Sequence, residues 1–393
     1  MPITGLVDKS PAPQATSLDR NKAFDGVRGY AALVVIVFHC VLGFDYGIRK
    51  SITEPVSSIS NYYAFAKFFL ATFSGHTAVN IFFVVSGCVL ILSSQRCLQV
   101  GNIRGNVVFL IRRTFRILPL LIICVATIAA AFWALSFVFP QIISPYPEAQ
   151  VLDNLLLASN KVHGASWTLR VEILAIPAMA IAGFLHKKVG TAGLAFFLLF
   201  SILAYENAGL TLGHPDLGTS LIYFSLGALI PTEVGAAVGR LRVGIWVVIA
   251  AMLYERSIFM PYDGLTVKFA QAGLCFWFLC QVFYGQSRAV TAFLSRPVSV
   301  FLGKISYSVY LWNVLFLNAL FAFRPLFPAW TPDHAVLVGS IASIAIGAVT
   351  IPVAILSERY IEQPFILLGK RIEGLFLHLT RGRPGVRQAV PES

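Results

Sequence analysis

Apolar and polar stretches alternate along this chain on a scale of about twenty residues, the length an α-helix needs to cross a bilayer. Ten apolar runs stand out, near residues 24–44, 77–94, 115–139, 168–186, 189–205, 218–236, 243–256, 265–285, 301–323 and 334–357. They predict an all-α integral membrane protein with about ten transmembrane helices. A shorter apolar stretch at 60–73 offers a further half-span. Residues 1–22 are polar and contain Pro and Ser, so they read as a disordered tail without the apolar core of a cleavable signal peptide. Residues 23–366 form one membrane domain, and 367–393 a second tail. After Pro364 the apolar and partly basic stretch FILLGKRIEGLFLHL suits either a position along the inner membrane surface or a plain helical tail.

Composition supports the same class. Hydrophobic residues make up 57% of the chain and charged residues only 12%, where soluble domains carry about a quarter charged residues. The formal net charge of +12 would suit a nucleic-acid partner. However, the basic residues sit in short clusters between apolar runs, which excludes a basic face on a soluble unit and identifies them as topology signals. With the N-terminus inside, 21 of the 30 Lys and Arg residues fall on inner segments and six on outer ones. That bias predicts an even number of crossings with both termini cytoplasmic. The six cysteines lie mostly within apolar runs, with neither metal-ligand spacing nor a disulfide framework, and no metal is expected.

Ionisable residues inside spans change the picture from topology to chemistry, because their burial is costly and marks sites or water-filled paths. The first span, AFDGVRGYAALVVIVFHC, holds Arg28 and His39. Eleven residues apart, they fall within about 20° of one helix face and about 16 Å apart along the axis. A histidine there has the proton affinity of a general base near neutral pH. The plainer alternative is an arginine that snorkels to the headgroups and a histidine bonded to a neighbouring helix. The run Arg112-Arg113-Thr114-Phe115-Arg116 enters the third span, with Arg113 and Arg116 three apart and suited to grip phosphate, or else simply marking the inner side. At the entry to the fourth span, Ser166-Trp167-Thr168-Leu169-Arg170-Val171-Glu172 places a carboxylate just inside the membrane, for a hydroxyl-bearing ligand or for an ion pair between helices. The ninth span carries Ser306, Tyr307, Ser308, Tyr310, Trp312 and Asn313, and Glu358 and Glu362 follow the tenth. Such polar density lines a cavity or joins helices.

Six segments in order, DGVRG with His39, FFVVSG (82–87), RRTFRILP, SWTLRVE, ISYSVYLWN and IEQPF, resemble the membrane acyltransferase-3 family, the O-acyltransferases of extracytoplasmic glycans and related acceptors. The resemblance runs from about residue 23 to residue 366. It implies that His39 is the essential base and that Arg28, Arg113 and Arg116 serve acyl-coenzyme A or the integrity of its site. The family's Trp-Ser-Leu-x-x-Glu segment matches Trp167 to Glu172, with Thr168 keeping the hydroxyl. Asn313 stands where many members carry histidine, and an asparagine cannot exchange a proton near neutral pH.

The expectation is an acyltransferase in the inner membrane of a bacterium. It moves an acyl group, acetyl first among the choices, from cytoplasmic acyl-coenzyme A to a hydroxyl of a carbohydrate or lipid-linked glycan. His39 and Glu172 are the catalytic candidates, Arg28, Arg113 and Arg116 hold the donor, and Trp167, Tyr310 and Asn313 shape the acceptor end. Membrane lipids are the other expected partners, and nucleic acid is not one. The rival is a secondary transporter or flippase, whose intramembrane Arg, His and Glu would form a substrate or proton path.

Overall fold

The computed structural model describes residues 22–52, 54–258 and 265–380, and every element among them is helical. The first half comprises α1 (Lys22–Phe44), α2 (Tyr46–Ser51), α3 (Asn61–Thr72), α4 (Gly75–Cys97), α5 (Asn102–Val138), α6 (Glu148–Leu155), α7 (Ser166–Val189) and α8 (Thr191–Ala204). The second comprises α9 (Pro215–Leu229), α10 (Glu233–Gly239), α11 (Ile245–Ile258), α12 (Leu265–Phe283), α13 (Arg288–Leu294), α14 (Pro297–Ala322), α15 (Ala335–Ser357) and α16 (Gln363–Thr380). The tails expected at 1–22 and 367–393 fall outside the described residues over 1–21 and 381–393.

Each of the ten apolar runs is helical, yet the helices differ from the predicted spans in length. Among the described residues seven helical stretches are long and apolar enough to cross a membrane, or eight if one bent pair counts as a span. The remaining two runs, α8 and α11, have 14 residues each, about 21 Å of helix against a hydrocarbon core of about 30 Å. The run expected at 218–236 is the bent pair, because α9 and α10 meet at 87°. Pro231 brings no N–H to continue the helix. The Thr232 hydroxyl then accepts from Val234 N and caps α10, and Tyr284 donates to Ile230 O at 2.8 Å, so a carbonyl freed by the bend has a partner. In the other direction, α5 begins at Asn102, well before the apolar run, and its 37 residues extend about 56 Å. The arginine run is therefore helix, and its side chains point in fixed directions.

α1 is buried around most of its circumference and packs against α4, α14 and α15. Ala31 and Val35 join the cluster containing Ala78, Ile81 and Phe83 of α4. On the next face, Ala32, Ile36 and Cys40 join Ile305 and Val309 of α14. Small residues set these approaches. A Cβ on Gly29 would stand 2.7 Å from Gly303 N, and one on Gly227 would stand 2.1 Å from Val84 O, so α1 meets α14, and α9 meets α4, backbone to backbone. All six cysteines are buried thiols.

The bundle has a basic end. There the start of α1 lies beside the last turns of α4, and α16 lies along the first half of α5, where Arg112 makes a two-pronged ion pair with Glu373 at 2.7 Å. The first and last described helical segments, α1 and α16, thus reach the same end of the bundle.

Candidate active site

Five helices enclose a cavity of about 80 Å³ in the middle of the bundle: α1, α4, α5, α7 and α14. Its charged lining is Arg28, Arg113, Arg116 and Glu172, and its tyrosines are Tyr307 and Tyr310. Arg113 is buried, its guanidinium donating to Val89 O at 3.4 Å and lying 5.8 Å over the Phe109 ring. Arg112, its neighbour on the helix, turns outward to Glu373. The spacing of three residues brings Arg116 onto the same cavity as Arg113. Arg28 enters from α1, with Asp25 at 4.0 Å one turn away.

Glu172 faces these arginines from α7 and accepts from Ser86 Oγ at 3.4 Å. Arg170 pairs instead with Asp216 on α9, so at this segment the ion pair between helices is Arg170–Asp216. Both tyrosine hydroxyls have committed their protons. Tyr307 donates to Ile117 O at 2.6 Å, beside Pro119 in α5. Thr168 Oγ1 donates to Ala165 O at 2.9 Å, so in its 3.0 Å contact with Tyr310 the tyrosine is the donor. The cavity therefore presents donors from three guanidiniums and acceptors from one carboxylate and two phenol oxygens. That set suits a ligand bearing both negative charge and hydroxyl or amide groups.

His39 lies outside this lining. It is exposed at the far half of α1, within about 20° of the Arg28 direction, between the α4-facing and α14-facing sides of that helix. The Phe82 and Tyr310 rings meet edge to face at 5.6 Å and line the cavity. Val79, one turn before Phe82, marks its extent toward the His39 end of α4. His39 touches Phe38 at 5.5 Å between ring centroids, and His76 meets the same ring at 5.4 Å.

Two further candidates are also absent from the lining. Trp167 backs the wall, its ring 6.1 Å from that of Phe83. Asn313 is buried and donates its amide to Val309 O and Tyr310 O of its own helix, at 2.9 and 2.8 Å, so it ties down the turn that carries Tyr310.

One positioning group escaped the sequence reading. Asn154 gathers the loop before α7, accepting from Val162 N at 3.1 Å and His163 N at 2.8 Å and donating to Ser166 Oγ at 2.9 Å. His163 is fully buried there, with Nε2 3.2 Å from Leu311 O on α14. Burial holds its pKa down at about 4, so the ring is neutral and Nε2 donates. A lone histidine in a short loop carries no sequence signal for such a role. The same loop leads into α7, whose first turn brings Thr168 to the cavity.

A family model described as an acyltransferase domain matches residues 21–358. No curated protein and no solved structure matches the chain.

Proposed function

The chain belongs to the acyltransferase-3 family, and from that premise we propose that it moves an acyl group, acetyl first, from acyl-coenzyme A to a hydroxyl of an extracytoplasmic carbohydrate or lipid-linked glycan. One observation carries the reading: three arginines converge with a carboxylate in a cavity inside the membrane bundle, and the only histidine of α1 stands farther along the same helix face. In this reading the basic end faces the cytoplasm, the side that an excess of Lys and Arg favours. The donor enters there and the acceptor arrives from the opposite end.

In this reading Arg28, Arg113 and Arg116 hold the donor's negative groups, and their fixed forks orient it. His39 takes the proton of the acceptor hydroxyl as its oxygen attacks the thioester carbonyl; the C–S bond then breaks, and the proton passes from the imidazolium to the leaving coenzyme A thiolate. Alternatively, His39 carries the acyl group between the two substrates. Glu172 and Tyr310 offer acceptors to ligand hydroxyls, and Trp167 and Asn313 hold that wall in place. The transport reading expects interrupted helices in matching halves. The α9–α10 bend is a single interruption among the described residues, and neither helix lines the cavity.

The test is transfer of label from acetyl-coenzyme A by purified protein in lipid nanodiscs, first to water and then to envelope glycans. Label transfer by wild type and its loss in His39→Ala supports the reading. Equal rates for the two proteins overturn the role of His39. Failure of wild type to bind or turn over any acyl-coenzyme A overturns the donor.

A further inference from the structure

A second cavity, of about 360 Å³, opens at the basic end between α1, α4, α5 and α12. It shares Arg28, Val85, Val89 and Arg116 with the inner cavity, so the two meet at those side chains. Val85, Val89, Leu92 and Arg96 recur on α4 at the spacing of one helix face, and that face lines the second cavity. Arg96 closes it at the open side: it is exposed, one turn beyond Leu92, with Ser93 beside it.

As a sequence feature Arg96 is one more basic residue at the end of a span. Its position makes it more. Together the two cavities carry four arginines, Arg28, Arg96, Arg113 and Arg116, against two carboxylates, Asp25 and Glu172. A recess with that excess of positive charge, walled by apolar helices, concentrates anions, and its field is screened less than that of an open surface. The inner cavity is too small for a nucleotide, while the outer one has more than four times its volume. The two therefore divide a long anionic ligand into a narrow inner part and a bulky, polyanionic outer part.

Resting on the donor reading above, we propose that the outer cavity seats the phosphorylated nucleotide end of the acyl donor and that Arg96 is a phosphate-binding residue of this chain. Arg28 and Arg116, at the junction, meet the phosphates nearest the acyl arm, and Arg96 meets those at the open side. A free coenzyme and an anionic lipid headgroup present the same phosphate chemistry, so the test must separate them.

The experiment measures coenzyme A affinity of the full chain in zwitterionic nanodiscs, using wild type, Arg96→Gln, Arg96→Lys and Arg104→Gln. Arg104 is an exposed arginine at the same end that lines neither cavity. Expected are a loss of about tenfold in Arg96→Gln, partial retention in Arg96→Lys, and no change in Arg104→Gln. Wild type should also bind coenzyme A more tightly than pantetheine, which lacks the phosphates, and Arg96→Gln should narrow that ratio. Equal affinity of wild type and Arg96→Gln overturns the assignment alone. Wild type that binds no coenzyme A overturns the donor reading, and the assignment falls with it. If adding phosphatidylglycerol to the nanodiscs abolishes coenzyme A binding to wild type, the cavity is a headgroup site and the proposal fails.

Discussion

An arginine inside a bilayer persists only where its guanidinium finds acceptors, and Arg113 has a backbone carbonyl, an aromatic face and Glu172 across the cavity. A lysine keeps the charge and loses the planar fork. Arg113→Lys is therefore expected to raise the KM for the acyl donor about tenfold, which donor titration of initial rates would reveal. Tyr310 presents a contrast. Thr168 keeps its bond to Ala165 O when the phenol is removed, so Tyr310→Phe should cost only about 1 kcal/mol of stability, read from denaturant or thermal unfolding. The residue-scale site was legible where helical spacing decides direction. Arg28, Arg113, Arg116, Glu172 and Tyr310 all reach one cavity. His39, Asn313 and Trp167 do not: His39 sits farther along α1 beyond the cavity, the buried Asn313 amide satisfies itself on its own helix, and the Trp167 ring packs against Phe83. Arg96 was hidden for another reason: an arginine at the end of a span looks the same whether it marks a side or lines a vestibule.

At the scale of elements, the ten apolar runs were readable because hydropathy reports burial, and each one is helical. Their ends were not. The helix α5 continues through its arginines, since a charged turn outside the hydrocarbon is still a good helix, and α9 stops where Pro231 and Thr232 together break and cap. The contacts between elements depend on single glycines. Gly227→Leu would drive a side chain into the Val84 carbonyl and is expected to abolish the monodisperse folded protein on size exclusion, whereas Gly244→Ala, with open space around it, should behave as wild type. The loop before α7 is held by a neutral His163 whose folded pKa, about 4, lies below the 6.5 of an exposed imidazole. The unfolded chain therefore takes up a proton first as pH falls. Stability from this group is complete above pH 6.5 and declines toward pH 4, by at most about 3 kcal/mol. His163→Gln should flatten that part of the stability–pH curve, measured by thermal unfolding across the window.

For the whole molecule, the division into a basic end and a far end gives the cavity its direction. The native cysteines are all buried, so introduced ones can be labelled against a low background. Arg104→Cys at the basic end should react with an impermeant maleimide only after the cytoplasmic face is opened, and Leu212→Cys, 90% exposed at the far end, should react in intact cells. The reverse pattern would invert the entry side of the donor. If a histidine beyond an arginine-lined cavity drives acyl transfer, a pair of assays on one preparation of His39→Ala separates that role from binding. Coenzyme A affinity should stay within about twofold of wild type, while label transfer from acetyl-coenzyme A falls by about a hundredfold or more. Transfer at the wild-type rate, with binding intact, would contradict that role.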